Sequence, residues 1–157
     1  MNQTTNNQMT NTAMPRDDAA LARLARFYET LTPQSLAQIE RIYAPDARFK
    51  DPFNDIRGLA AITRVFEHMF KQLDEPRFVV TSRVAQGAEA FLVWEMQFRF
   101  QRYVAGPQVI RGATHIRFDA DGMVVLHRDY WDAAEELYEK LPLLGRFMRV
   151  LRRAVNR

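Results

Sequence analysis

The chain has 157 residues, 47% of them hydrophobic and 26% charged, with a net charge of +3. That describes one ordinary globular domain, large enough to bury about 70% of its unfolded surface. It contains no cysteine, which excludes disulfides, thiolate metal sites and thiol nucleophiles. No run of apolar residues is long enough to span a bilayer.

Residues 1–16 are rich in Asn, Gln and Thr and read as a polar, flexible tail. They lack the basic and apolar blocks of a secretory signal, so the expected location is the cytoplasm. Charge is unevenly placed. Residues 141–157 carry five arginines and no acid; without them, the 22 basic residues become 17 against 19 acidic ones. The body is therefore slightly acidic, and the pI does not indicate a nucleic-acid-binding face.

A first helix is expected from Asp17 and Asp18, with Leu21, Leu24, Ala25, Tyr28 and Leu31 on one face. Thr32-Pro33 restarts a helix carrying Leu36, Ile39, Ile42 and Tyr43, which stops near Ala44-Pro45. A short extended piece, Ala47 to Lys50, leads into Asp51-Pro52-Phe53. The third helix displays Leu59, Ile62, Val65, Phe66, Met69, Phe70 and Leu73 and ends at Glu75-Pro76. From Arg77 the period changes to two. Strands are expected at Phe78–Ala85, Phe91–Val104, Gln108–Phe118 and Met123–Trp131, with Asp119 to Gly122 as a hairpin turn. Asp132 starts a short helix to Lys140, and Leu143 to Val155 reads as an amphipathic helix with a basic face. Helices followed by strands imply an α+β domain over 17–140: a curved antiparallel sheet with three N-terminal helices packed on it, plus the C-terminal amphipathic helix of 141–157.

Several segments then resemble a known family. Ala25-Arg26-Phe27-Tyr28-Glu29, Tyr43-Ala44-Pro45-Asp46-Ala47 and above all Asp51-Pro52-Phe53 are similar to the ketosteroid isomerases. Ile116-Arg117-Phe118-Asp119 with Gly122, then Tyr130-Trp131, resemble their last hairpin. The resemblance runs from about residue 18 to 132. It implies the cone-shaped, cystatin-like α+β fold shared by nuclear transport factor two, the ketosteroid isomerases and the SnoaL-like cyclases. In the isomerases, the aspartate of the Asp-Pro-Phe motif is a general base; here it is Asp51. Their two oxyanion donors, a tyrosine and a protonated aspartate, align with Phe27 and Thr114.

The same resemblance places His127, Asp129 and Trp131 on the pocket side of the last strand. The i, i+2, i+4 spacing independently puts all three on one face. Asp51, His127 and Asp129 are the candidate acid–base set; Phe27, Phe53, Thr114 and Trp131 are the candidate substrate contacts. His115 falls on the opposite face of its strand from Thr114, where the family resemblance implies a homodimer surface. His68 lies on the third helix. Three scattered histidines give no metal-ligand spacing, and no cofactor or metal is expected. Arg99, Arg102 and Arg111 could meet an anionic substrate group, and one alternating subset of the strand that carries Phe91, Trp94, Met96, Phe98 and Phe100 must line the cone.

The expected partners are a small hydrophobic molecule and a second copy of the chain. No nucleic-acid motif is present, and the basic C-terminal helix could touch a membrane surface or dock on protein. Two functional readings stay open: an isomerase, cyclase or hydratase, or a non-catalytic binding module.

Overall fold

The computed structural model describes residues 15–101 and 105–136. The segments expected as the N-terminal tail, the Val104 strand end and the C-terminal helix lie outside them, or mostly so. Helix α1 spans Pro15–Glu29, so the start of the helix takes in the last residues assigned to the tail. Its expected apolar face is buried, from Ala20 and Leu21 through Leu24 and Ala25 to Tyr28.

The second expected helix is a 3₁₀ segment, Ser35–Arg41. Thr32 and Ser35 close the turn that leads into it: Ser35 N donates to Thr32 Oγ1 (3.1 Å) and Thr32 N to Ser35 Oγ (2.8 Å). The 3₁₀ form follows from the spacing of its apolar residues. Leu36, Ile39 and Ile42 recur every third residue and are all buried, which suits three residues per turn better than 3.6.

Strand β1 (Tyr43–Lys50) is twice the expected length and contains Pro45. Its pairing with the last strand slips between Tyr43 and Arg48, so the proline sits at an irregularity where no ladder donor is needed. Strand β2 (Asp55–Arg57) and helix α2 (Leu59–Gln72) follow. Strand β3 (Leu73–Gln86) begins directly after α2, three residues before the expected stop at Pro76. Glu75 has φ 51°, and the register breaks between Asp74 and Arg77, so Pro76 marks a bulge in a strand rather than a helix end.

Strands β4 (Glu89–Phe100), β5 (Pro107–Phe118) and β6 (Val124–Tyr130) complete the sheet, and α3 (Ala133–Glu136) follows. The β5–β6 turn is built by Asp119, whose Oδ1 accepts from Asp121 N and Met123 N, both at 2.9 Å. Gly122 supplies the positive φ of 75° that closes it.

The sheet order is β2-β1-β6-β5-β4-β3. The sheet is mixed, not antiparallel as expected: β6 runs parallel to β1. The antiparallel run β3 to β6 carries the chain back beside β1, pointing the same way. Residue periodicity records strand faces but not partner direction. The core lies between the inner sheet face and the three helical segments, with Tyr43, Ile62, Ile116 and Val124 fully enclosed.

Candidate functional site

Alternation along β6 turns His127 and Asp129 inward and Arg128 outward. In the β5–β6 ladder His127 faces Ile116 and Asp129 faces Thr114. The Thr114–Asp129 pair therefore meets side by side, and Thr114 Oγ1 hydrogen-bonds Asp129 Oδ1. His127, only 2% exposed, places Nε2 at 3.0 Å from the same Oδ1. Its ring stacks on Phe49, with centroids 4.6 Å apart.

Two tyrosines close the network from the helical side. Tyr43 Oη lies 2.9 Å from His127 Nδ1, Tyr28 Oη lies 3.4 Å from it, and the two phenols hydrogen-bond each other. Burial pushes both phenols well above their usual range, and the negative Asp129 adds to it; the Tyr28 bond works against the rise at Tyr43. Both are thus protonated donors at neutral pH.

Trp94 closes the network from the sheet. Its Nε1 donates to Thr114 Oγ1 at 2.8 Å. The indole reaches that far because Gly112, its cross-strand partner, has no side chain. A Cβ there would stand 2.6 and 2.7 Å from Trp94 ring carbons.

Hydrogen-bond direction then follows from chemistry. An indole N–H only donates, so the Thr114 proton goes to Asp129. A carboxylate only accepts, so His127 carries a proton on Nε2 and gives it to Asp129, which leaves Nδ1 to meet the Tyr43 phenol. Both arms end on one oxygen of one carboxylate. Among the described residues no hydrogen bond reaches Asp129 Oδ2.

That carboxylate lines an inner and an outer space that share part of their wall, and borders a third, more open one with Lys50, Asp51, Arg128 and Trp131. The inner one is about 30 Å³, bounded by Tyr28, Thr114, His127 and Asp129 among others. It has room for a water molecule, with polar partners in reach. The outer one is about 460 Å³ and opens between α2, the end of β1 and the inner face of β4. The two share Phe66, Phe78, Trp94 and Asp129 in their walls. On β4 the inward subset is Leu92, Trp94, Met96 and Phe98, while Phe91 and Val93 face out.

The predicted residues do not all converge. Asp129, Phe53 and Trp131 line the outer space, His127 and Thr114 the inner one. Phe53 and Trp131 meet edge to face, 5.5 Å between centroids. Asp51 also lines the outer space, but its carboxylate is engaged locally. Oδ1 accepts from Phe53 N (2.7 Å), Asn54 N (2.6 Å) and Asn54 Nδ2 (3.0 Å), and Oδ2 accepts from Asn54 Nδ2 (2.9 Å). It makes no hydrogen bond to His127 or Asp129. Phe27 is packed in the core and lines neither space; its neighbour Tyr28 is the residue that points inward. Tyr28, Tyr43, Trp94 and Gly112 were not among the predicted site residues. The available signal was the tyrosines themselves, since a phenol on a buried helix face needs a partner.

The remaining candidates sit elsewhere. His115 is on the outer face, paired with Glu89, which also takes a 2.6 Å bond from Arg117 Nε. Arg111 pairs with Glu95 there (3.1 Å). Arg99 is exposed, and Arg102 lies outside the described residues. His68 is exposed at the cavity rim, 3.3 Å from Gln72 Nε2. Among the described residues no three His, Asp or Glu side chains could hold a metal ion together.

Residues 24–127 match the SnoaL-like domain family. The chain belongs to that family. The SnoaL-like chain is 29% identical to a steroid Δ-isomerase of Nocardioides simplex over 112 residues, 70% of this chain and 87% of that protein. Solved structures share the fold at low identity. An LEH-like epoxide hydrolase of M. tuberculosis superposes with a TM-score of 0.66 at 17% identity, covering 87% of this chain and 94% of that one. A protein of ketosteroid isomerase-like fold from Catenulispora acidiphila, solved in complex with trimethylamine, gives 0.66 at 14%, covering 78% and 93%. This SnoaL-like domain thus has the ketosteroid isomerase-like fold. No helix among its described residues is long and apolar enough to cross a membrane.

Proposed function

We propose that this SnoaL-like protein binds a small, largely apolar molecule in the outer cavity and moves a proton on it with Asp129, held by His127. One observation carries the reading: Asp129 anchors the buried network through Oδ1 while it also forms the cavity wall. A carboxylate fixed by two donors on one oxygen leaves the other free to accept. His127 orients it and, through Tyr43, is itself held in one tautomer. Asp51 is the second carboxylate on the cavity, at the end where Phe53 and Trp131 meet.

The chemistry is narrower than in a ketosteroid isomerase. Of the two oxyanion-donor positions, one is Phe27, buried away from the cavity, and the other is Thr114, whose proton goes to Asp129. Tyr28 Oη is bound to Tyr43 and His127. These features support isomerisation, cyclisation or hydration by a base over chemistry that needs a strong donor at a developing oxyanion.

A non-catalytic binding role is the second reading, supported by the local engagement of Asp51 and by the self-contained bonding of the inner network. Thermal melts of wild type, Asp51→Asn and Asp129→Asn with a panel of apolar carbonyl compounds and epoxides separate the two. A compound that raises the wild-type melt, fails on Asp129→Asn and is converted only by wild type establishes catalysis. A compound that shifts wild type and is never converted leaves binding alone. No shift with any compound would sink both.

For the partner, we propose a homodimer through the outer sheet face. Val84, Phe91 and Val93 are 62%, 48% and 45% exposed there, an apolar strip across β3 and β4. Light scattering of wild type against Phe91→Glu with Val93→Glu tests it; equal masses would remove the proposal.

A further inference from the structure

The cavity walls say more about the ligand than that it is apolar. Eight aromatic side chains line the outer space, among them Phe66, Phe78, Trp94, Phe98 and Trp131. Its ionisable groups are two carboxylates, Asp51 and Asp129, and the rim imidazole of His68. Among the described residues no lysine or arginine lines it. Among the described residues neither carboxylate has a lysine or arginine partner; Asp129 is held by Thr114 and His127, and Asp51 by Asn54 and backbone N–H groups.

An unmatched carboxylate facing an apolar space is costly, because the aromatic walls replace little of the water it loses. The cost falls when a cation enters. Aromatic faces attract the same cation by their quadrupole, so walls and charge select together. A neutral ligand of the same shape gains only the wall contacts, and an anion meets two like charges.

We propose that the ligand of this cavity is an organic cation, a small apolar amine or quaternary ammonium that sets its charge against Asp129 and its carbon substituents against the aromatic wall. This deepens, and rests on, the reading of the cavity as a small-molecule site. Arg99 and Arg111 do not line the space, and Lys50 and Arg128 line a separate, more open space on the far side of Asp51, Asp129 and Trp131.

The chain supplies its own reporter. It has two tryptophans, and both line the outer space, so intrinsic fluorescence reads occupancy there. The probes are benzyltrimethylammonium, whose charge does not depend on pH, its neutral carbon isostere neopentylbenzene, and phenylacetate. Titrations at pH 7 and low salt should give the ammonium at least about tenfold tighter binding than the isostere and no measurable binding of the anion. The ammonium preference over the isostere should drop below about twofold in Asp129→Asn. Should that variant not fold, the wild-type isostere comparison alone decides. If the neutral isostere or the anion binds as well as the ammonium, the cation proposal is overturned and the small-molecule site stands. If no probe of any charge perturbs either tryptophan, both readings fall together.

Discussion

The sheet carries two histidine–carboxylate pairs of nearly the same make-up on opposite faces. Inside, His127 pairs with Asp129 and stacks on Phe49; outside, His115 pairs with Glu89 and stacks on Phe91, centroids 4.9 Å apart. The inner side chains are 3% and 15% exposed, the outer ones 21% and 42%. The outer pair has Arg117 as a third, solvated member, which with His115 draws the Glu89 carboxyl below its usual range. The inner pair has only neutral donors around it. What separates an ordinary surface ion cluster from a candidate site is therefore not residue type. It is burial, the lack of an arginine or lysine partner, and a cavity that the carboxylate lines.

The comparison breaks most sharply by removing each histidine. His127→Ala deletes a ring that two phenols and a carboxylate depend on and leaves a void, which should cost about 3–5 kcal/mol. His115→Ala should stay within about 1 kcal/mol, as for exposed pairs generally. Urea unfolding of both measures the gap, and equal losses would show that burial does not distinguish the pairs.

Gly112→Ala tests the inner network without touching either member of the pair. The added methyl collides with the Trp94 ring and should cost about 1–3 kcal/mol, with a shift in tryptophan emission as Nε1 loses Thr114. Ala113, the next residue on β5, pairs with outward Val93, so Ala113→Ser should leave emission unchanged.

Tyr43→Phe leaves His127 Nδ1 short of its near donor and should cost about 1–2 kcal/mol. It also sharpens a pH dependence. Burial raises the phenols of Tyr28 and Tyr43 above their unfolded values. Their contribution is complete below about pH 10, where folded and unfolded chains hold the same protons. Above it the unfolded chain loses protons that the folded one keeps, so stability falls as pH rises. The melting temperature should decline from about pH 10 upward, less steeply in Tyr43→Phe. A flat alkaline melt for wild type would contradict the burial of the two phenols. The smallest effect belongs to the outer pair: Glu89→Gln should change stability by under about 0.5 kcal/mol, and that little should vanish in 0.5 M salt.

Much of this molecule could be read directly from its residues. The apolar spacing of α1 and α2, the period-two strands, the Asp119–Gly122 turn and the inward face of β6 depend on local geometry, which a linear pattern records. Spacing alone therefore put His127 and Asp129 on one face, and the family resemblance brought Thr114 and Trp131 to the same region. Other features depend on distant partners. Pro76 reads as a helix stop, yet it sits in a bulge because Leu73 already has a strand beside it. The second helix tightens to 3₁₀ because its three apolar residues must face one core. Strand β6 runs parallel to β1 because three reversals bring it there, and no residue in either strand encodes that. Tyr28 and Tyr43 read as apolar stripe residues until the fold sets both phenols against His127. Gly112 matters only because Trp94 lies across it. Asp51, the strongest motif residue, turns out to be held by its own turn, whereas Asp129, marked by alternation and by the family resemblance, connects the network to the cavity. Residue order determines which side chains share a face. Which faces meet, and which carboxylate is left with an open oxygen, depends on contacts between residues tens of positions apart, and only the tertiary structure sets those.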